Sequence, residues 1–274
     1  ELVKTALDCG INFFDHADIY GGGKSEELFG QVLEKHPEYR EKMIIQTKCA
    51  IVPGKRYDFS KEYIMNAVNG SLKRLHTDHV EILLLHRPDA LCDPQEVAEA
   101  FDELYVSGKV KYFGVSNHTP GQIALLQKYI KHPIIINQLQ LSIVHSVMID
   151  SGMNMNMKED FAIDKDGGVL DYCRLNDITI QAWSIVQASW AEGTFLNHPD
   201  YKKLNNVLDD LAKKYNVTPA TIATAWILRH PAHIQAITGT TSPKHLIETA
   251  EAANIELTRQ EWYDLYLASD KPLP

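Results

Sequence analysis

No stretch of this 274-residue sequence is apolar for the ~20 residues that a membrane-crossing helix needs, and no signal-peptide pattern is present. A cytoplasmic protein without a membrane partner is therefore expected. Positive charge is scarce: 27 Lys and Arg stand against 36 Asp and Glu, for a formal net charge of −9. An extended nucleic-acid groove would face repulsion, so no nucleic-acid partner is expected; a local cationic pocket for one small phosphate is compatible with that charge. The four cysteines, Cys9, Cys49, Cys92 and Cys173, lie far apart and match no metal-ligand spacing, as fits a reducing compartment. Although there are 12 histidines, no His-x-His occurs, and His86 alone sits squarely at a strand end. That argues against a metal-dependent barrel hydrolase and predicts no metal. No linker rich in Pro, Gly or Ser divides the chain, so residues 1–274 read as a single domain. A Gly-x-Gly-x-x-Gly turn after an early strand is absent too, which counts against a doubly wound dinucleotide fold. GGGK at 21–24 lacks the P-loop framework and reads as a mobile loop.

What the chain does contain is alternation. Short apolar runs predict strands at Ile11–Asp15, Met43–Lys48, Val80–His86, Val110–Ser116, Ile134–Gln138, Ile178–Ser184 and Ile234–Thr238. Amphipathic stretches between them, such as Lys61–Leu75, Pro94–Ser107, Gly121–Ile130 and Lys203–Tyr215, have helical periodicity. VEILLLH is almost continuously apolar, as befits a strand buried on both faces. Regular β-then-α order implies a parallel sheet, open or closed. The strand ends decide between them. Asp15, Lys48, His86, Ser116–Asn117, Gln138, Trp183–Ser184 and Thr240–Thr241 put polar groups where strand after strand stops, the pattern of a (β/α)8 TIM barrel. Such a barrel needs eight strands and seven are legible. ELVKTALDCG reads as a helix ending at Gly10, so the first strand is expected to be absent from the given sequence.

In order along the chain, FFDHADIYGGGKSE, IIQTK, ILLLHRPD, KVKYFGVSN, INQLQ and AWSIV resemble the aldo-keto reductase superfamily, and ITGTTSPKHLIETAEAANIELTRQEW extends the likeness towards the C-terminus. The resemblance implies a catalytic tetrad of Asp15, Tyr20, Lys48 and His86. Hydride arriving at a carbonyl carbon puts negative charge on the oxygen, which then needs a proton. A Tyr hydroxyl can donate it, and a cation beside a phenol eases the loss of that proton. Tyr20 would be the donor, Lys48 the cation, Asp15 its anchor, and His86 would orient the carbonyl and share its charge. Taken singly, each residue has a plainer reading: a turn cap, a surface aromatic, a solvated lysine, a packed core histidine. His16 and Asp18 read as loop-packing residues.

The same resemblance implies a cofactor site. Ser116, Asn117 and Gln138 would bond the nicotinamide carboxamide, and Trp183, followed by Ser184, would stack on the ring where many relatives carry Tyr. Ser242–Pro243 reads as the N-cap and first residue of a short helix able to receive an anion, with hydroxyls from Thr240 and Thr241. Gly239 and His245 stand where many NADPH-selective relatives place Lys and Arg, Lys244 offers a replacement charge, and Glu248 matches the adenine contact, followed by Thr249 in place of Asn. NADP(H) is favoured over NAD(H). The expected activity is reduction of an aldehyde or ketone to an alcohol, with a small-molecule carbonyl or alcohol as partner and a monomer or small homo-oligomer as the assembly. A nucleotide-binding regulatory subunit acting as a redox sensor is the alternative. The methionine-bearing stretch from His145 to Gly168 lies outside the repeat; it reads as loop packing, or as an adaptable wall over the substrate.

Overall fold

The structure is a computed structural model that describes residues 1–158 and 162–271. The chain folds as two compact units, one of Asn12–Asn137 with Leu175–Ile178, the other of Glu1–Ile11, Gln138–Arg174 and Thr179–Pro274.

In the first unit, β1 (Phe13–Asp15), β2 (Ile44–Cys49), β3 (Val80–Leu85) and β4 (Val110–Ser116) lie side by side in chain order, and β5 (Ile134–Gln140) begins beside β4. The pairings are parallel, with Asp15 opposite Gln46, Lys48 opposite Leu84, and Leu84 opposite Gly114. Five of the six residues of β3 are buried, so this strand is covered on both faces, as its apolar run predicts. Gly114 is required by closeness: a Cβ there would lie 2.6 Å from a Leu84 methyl and 2.8 Å from the Ile136 carbonyl.

Three of the connections contain a helix started by a side-chain cap, whereas Lys24–Lys35 after β1 starts from Gly23 without one. Ser60 accepts the Tyr63 amide ahead of Lys61–Leu75, Asp93 accepts the Gln95 amide ahead of Pro94–Val106, and Thr119 forms a reciprocal capping box with Gln122 ahead of Pro120–Tyr129. Pro94 and Pro120 occupy first helical positions, where a missing N–H costs nothing. GGGK is not the loop expected from the sequence. Tyr20–Gly23 winds into a 3-10 turn whose Gly21 and Gly22 have φ of 58° and 65°, and it runs directly into the helix Lys24–Lys35. Gly23 follows at φ 92°, and three successive left-handed residues are cheap only for glycine.

In the second unit, β5 continues to Gln140, followed in order by β6 (Thr179–Trp183) and β7 (Gln235–Ala236), with Gln181 opposite Gln235. The helices Pro219–Leu228 and Arg259–Ala268 meet through a parallel stack of Trp226 and Trp262, ring centroids 4.8 Å apart. Each indole N–H donates to the other's backbone carbonyl, at 3.1 and 3.0 Å, so neither buried donor is unsatisfied. The helix expected at the start of the chain is Leu2–Asp8, with Gly10 beyond it at φ 79°. No helix among the described residues is long and apolar enough to cross a membrane.

Candidate active site

In the first unit, alternation along β2 sends its side chains to opposite faces. Gln46 and Lys48 share one face; Thr47 points to the other, where its hydroxyl meets Glu26 at 2.6 Å and Glu26 in turn holds Arg74 at 2.7 Å. On the first face Lys48 is wholly buried, and its ammonium makes three contacts: Asp15 Oδ2 at 2.7 Å, the His16 carbonyl at 2.8 Å and the Tyr20 hydroxyl oxygen at 3.2 Å. An ammonium has three protons to donate and no acceptor. All three are spent, one of them on the phenol oxygen. Tyr20 therefore accepts from Lys48 and directs its own proton elsewhere. At 38% exposure, it is the most open of the four residues.

His86 completes the group. It follows β3, its amide donates to the Cys49 carbonyl at 3.0 Å, and its ring stands edge-on to Tyr20 with centroids 5.8 Å apart at 83°. Burial, helped by the Lys48 charge, pushes its pKa down to about 3. The ring is neutral near pH 7 and holds a single N–H. Its Nδ1 is buried without a partner among the described residues, so a bond to a ligand falls to Nε2. Asp15, Tyr20, Lys48 and His86 are thus brought together as the motifs imply.

Ser116 and Asn117 close β4 beside them. Asn117 turns the backbone left-handed, at φ 59°, and its side-chain amide reaches the Ser116 hydroxyl at 2.8 Å and the His86 carbonyl at 3.5 Å. His118 locks this corner: its Nδ1 bonds the Ser116 carbonyl at 2.9 Å, and the Asn137 amide donates to the His118 carbonyl at 2.9 Å. Burial drives the His118 pKa down to about 4.

Sequence reasoning missed Gln46. It is fully buried and donates through Nε2 to Asp15 Oδ1 at 2.5 Å, which leaves the other oxygen for Lys48. No spacing in the sequence shows this, because the contact depends on the register that sets Gln46 opposite Asp15. His16 and Asp18, expected to be loop-packing residues, are buried and partly buried respectively. His16 packs edge-on against Phe29 at 4.4 Å, and burial lowers its pKa to about 4. Burial, reinforced by the Glu26 carboxylate, raises that of Asp18 to about 7.

The remaining candidates lie in the second unit. Gln138 donates to Gln181 and Gln181 to Gln235, both at 2.9 Å, a run of amides across β5, β6 and β7. Trp183 ends β6 half-buried. Ser184 takes a left-handed φ of 57° and spends its hydroxyl proton on Gln187 at 2.5 Å. After β7, the Thr240 hydroxyl accepts the Ser242 amide at 3.1 Å, and Ser242 caps the helix Pro243–Ala250 by accepting the His245 amide at 3.4 Å. This is the cap the sequence predicts. Gly239 and Thr241 flank Thr240 on the approach to that cap. Lys244 lies exposed on the first turn, 3.7 Å from Glu248.

The sequence profile of the Aldo/keto reductase family matches residues 1–266. Oxidoreductase YdhF of Escherichia coli is 34% identical over 98% of this chain and 86% of its own length. A 6-dehydroglucose reductase of Novosphingobium aromaticivorans is 36% identical over 98% and 84%. Among solved structures, a thermostable aldo-keto reductase in complex with the inhibitor epalrestat superposes with a TM-score of 0.76 at 26% identity, over 97% of this chain and 85% of that one. A Klebsiella pneumoniae aldo-keto reductase in complex with NADPH gives 0.74 at 22% identity, over 100% and 84%. The fold class is α/β, with a parallel sheet of seven strands among the described residues, and the structural neighbours are (β/α)8 barrels. The chain belongs to the aldo/keto reductase family.

Proposed function

We propose that this chain is an NADP(H)-dependent reductase of aldehydes or ketones in which Tyr20 donates the proton. The observation that carries the reading is the saturation of Lys48. With three acceptors on its three protons, the ammonium fixes the phenol as an acceptor on one side and a donor on the other. Tyr20 passes its proton to the carbonyl oxygen as that oxygen gains charge, and the phenolate left behind stays 3.2 Å from Lys48. The neutral His86 ring hydrogen-bonds the same oxygen and orients it. When bound, a nicotinamide cofactor supplies the hydride to the carbonyl carbon.

The donor set suits such a cofactor. In the first unit, Ser116 and Asn117 carry hydroxyl and amide groups suited to a carboxamide; in the second, Gln138 carries an amide of its own. Trp183 provides a flat face for a ring, with Ser184 beside it. The capped N-terminus at Ser242, with Gly239, Thr240, Thr241, Lys244 and His245, suits a phosphate, and Glu248 suits an amino group. The exposed Lys244 charge supports the 2′-phosphate of NADP(H) over NAD(H). Because two relatives are named 6-dehydroglucose reductase, a sugar aldehyde belongs in the first substrate panel.

The test is Tyr20→Phe. On an aldehyde that the wild type reduces, turnover should fall by at least about 100-fold, while NADPH titrated against tryptophan fluorescence binds as before. Retained turnover would overturn the proton-donor role. Equal affinity for NADH and NADPH would overturn the phosphate assignment. If the wild type binds NADPH tightly but reduces no member of a broad carbonyl panel, the redox-sensor reading replaces the enzyme.

A further inference from the structure

In the second unit, beside the helix Arg259–Ala268, lies a cavity of about 510 Å³ that shares no lining residue with the sites assigned above. Ligand pockets commonly enclose roughly 300–1,000 Å³. Its walls are largely apolar: Met148 and Met153, Leu170, and the rings of Trp262 and Tyr263. The two methionines are unbranched and polarisable, and can fit ligands of varied outline. Trp262 is rigid by contrast, held by its stack on Trp226 and its indole bond.

Set into this apolar surface is positive charge without an internal use. Arg229 is anchored through Nε to the Leu257 carbonyl at 2.7 Å, which leaves its terminal nitrogens. Arg259 makes no hydrogen bond or ion pair among the described residues, and it stands at the first position of its own helix, where a cation opposes the helix dipole. Its charge does nothing for that helix. His230 also lines the cavity. Its Nδ1 accepts the Ala232 amide at 3.2 Å, so the neutral ring carries its proton on Nε2, a further donor. The two acidic residues of the lining are engaged elsewhere or open to water: Asp171 pairs with Arg174 at 3.8 Å, and the exposed Asp164 accepts the Asp166 and Gly167 amides at 3.0 and 2.9 Å. An apolar basin edged by unspent guanidinium donors selects an anion with a hydrocarbon body.

We propose that this cavity binds a small apolar carboxylate, its head group on Arg229 and Arg259 and its body against Met148, Met153 and Trp262. The inference does not depend on the reductase reading. Calorimetric titration of the full chain with decanoate, below its micelle concentration, tests it, with decanol as the uncharged control. Saturable one-site binding is expected, weakened at least about tenfold by Arg259→Glu, weakened also by the cavity-filling Met153→Trp, and unchanged by Tyr20→Phe or by saturating NADPH. Decanol should bind at least about tenfold more weakly than decanoate. Arg259 is exposed, so its variant is expected to fold, and it decides the matter even if Met153→Trp does not. The proposal is overturned by an absence of saturable binding, by affinity unchanged in Arg259→Glu, by equal binding of decanol, or by displacement with NADPH, which would place the carboxylate in the cofactor site.

Discussion

At the scale of single residues, the first unit is organised around one lysine that water does not reach. Burying an ammonium is tolerable only because Asp15, the His16 carbonyl and Tyr20 replace its hydration, and Asp15 is itself steadied by Gln46. Removing one partner of such a pair strands the other charge, at about 3 kcal/mol. Lys48→Met and Asp15→Asn should each lose about that much in urea unfolding, whereas the double variant should lose clearly less than their sum. Additive losses would mean the two side chains do not stabilise one another. The tetrad was legible because each of its members sits in a run of distinctive neighbours. Gln46 was overlooked because its role depends on register: it lies opposite Asp15 on the next strand, a relation that no spacing within β2 displays. Asp18 gives a second prediction. A carboxyl held at about 7 in the fold, against an ordinary 3.8, binds its proton more tightly folded than unfolded. It therefore costs stability increasingly as pH rises from about 4 to 7. Asp18→Asn should match the wild type below about pH 4 and exceed it by on the order of 4 kcal/mol above pH 7. A gain that did not vary with pH would disprove the assignment.

At the scale of elements, helix starts were read more sharply than strand ends, for a physical reason. A helix start is chemically local: Ser60, Thr119 and Ser242 each satisfy the amide three residues ahead, so the cap is written in neighbouring letters. A strand ends where its neighbour stops pairing. Ile234–Thr238 accordingly shrinks to Gln235–Ala236, the two residues that meet Gln181 and Ala182, while β5 runs two residues past its expected end at Gln138. Packing between elements leaves even less trace in sequence. Gly30 looks like an ordinary flaw in the helix Lys24–Lys35, yet a Cβ there would fall 2.1 Å from the Arg74 carbonyl oxygen and 2.9 Å from the Leu75 carbonyl carbon. Those atoms belong to the facing helix backbone and cannot move aside singly. Gly30→Ala should cost at least about 2 kcal/mol despite alanine's better helix propensity, read as a lowered urea midpoint with an unchanged slope. A stabilised variant would show that the two helices separate at little cost.

At the scale of the whole molecule, the buried imidazoles set the response to acid. His86 titrates near 3, and His16 and His118 near 4, each depressed chiefly by burial from an ordinary 6.5. Between those values and 6.5, each histidine is neutral when folded and protonated when unfolded, so each favours the unfolded chain as pH falls. Asp18 acts in the opposite sense over much of the same window, because the folded state holds its proton and the unfolded chain has released it. From these four groups, three protons taken up on unfolding against one released leave a net uptake near two, and His145 and His230, whose pKa values burial also lowers, act in the same sense as the three histidines. Folding stability should then drop by at least roughly 2 kcal/mol per pH unit between about pH 6 and 5. The sequence shows 12 histidines but not which of them lose their water, since that depends on packing from distant segments such as Phe29 against His16. The opposing terms can be separated. In Asp18→Asn the released proton disappears from the balance, and the dependence should steepen to at least roughly 3.5 kcal/mol per pH unit. Urea unfolding of both proteins at pH 5, 5.5 and 6 measures the two slopes. A wild-type slope near zero would mean that these histidines protonate within the folded chain, and a variant no steeper than the wild type would remove Asp18 from the balance.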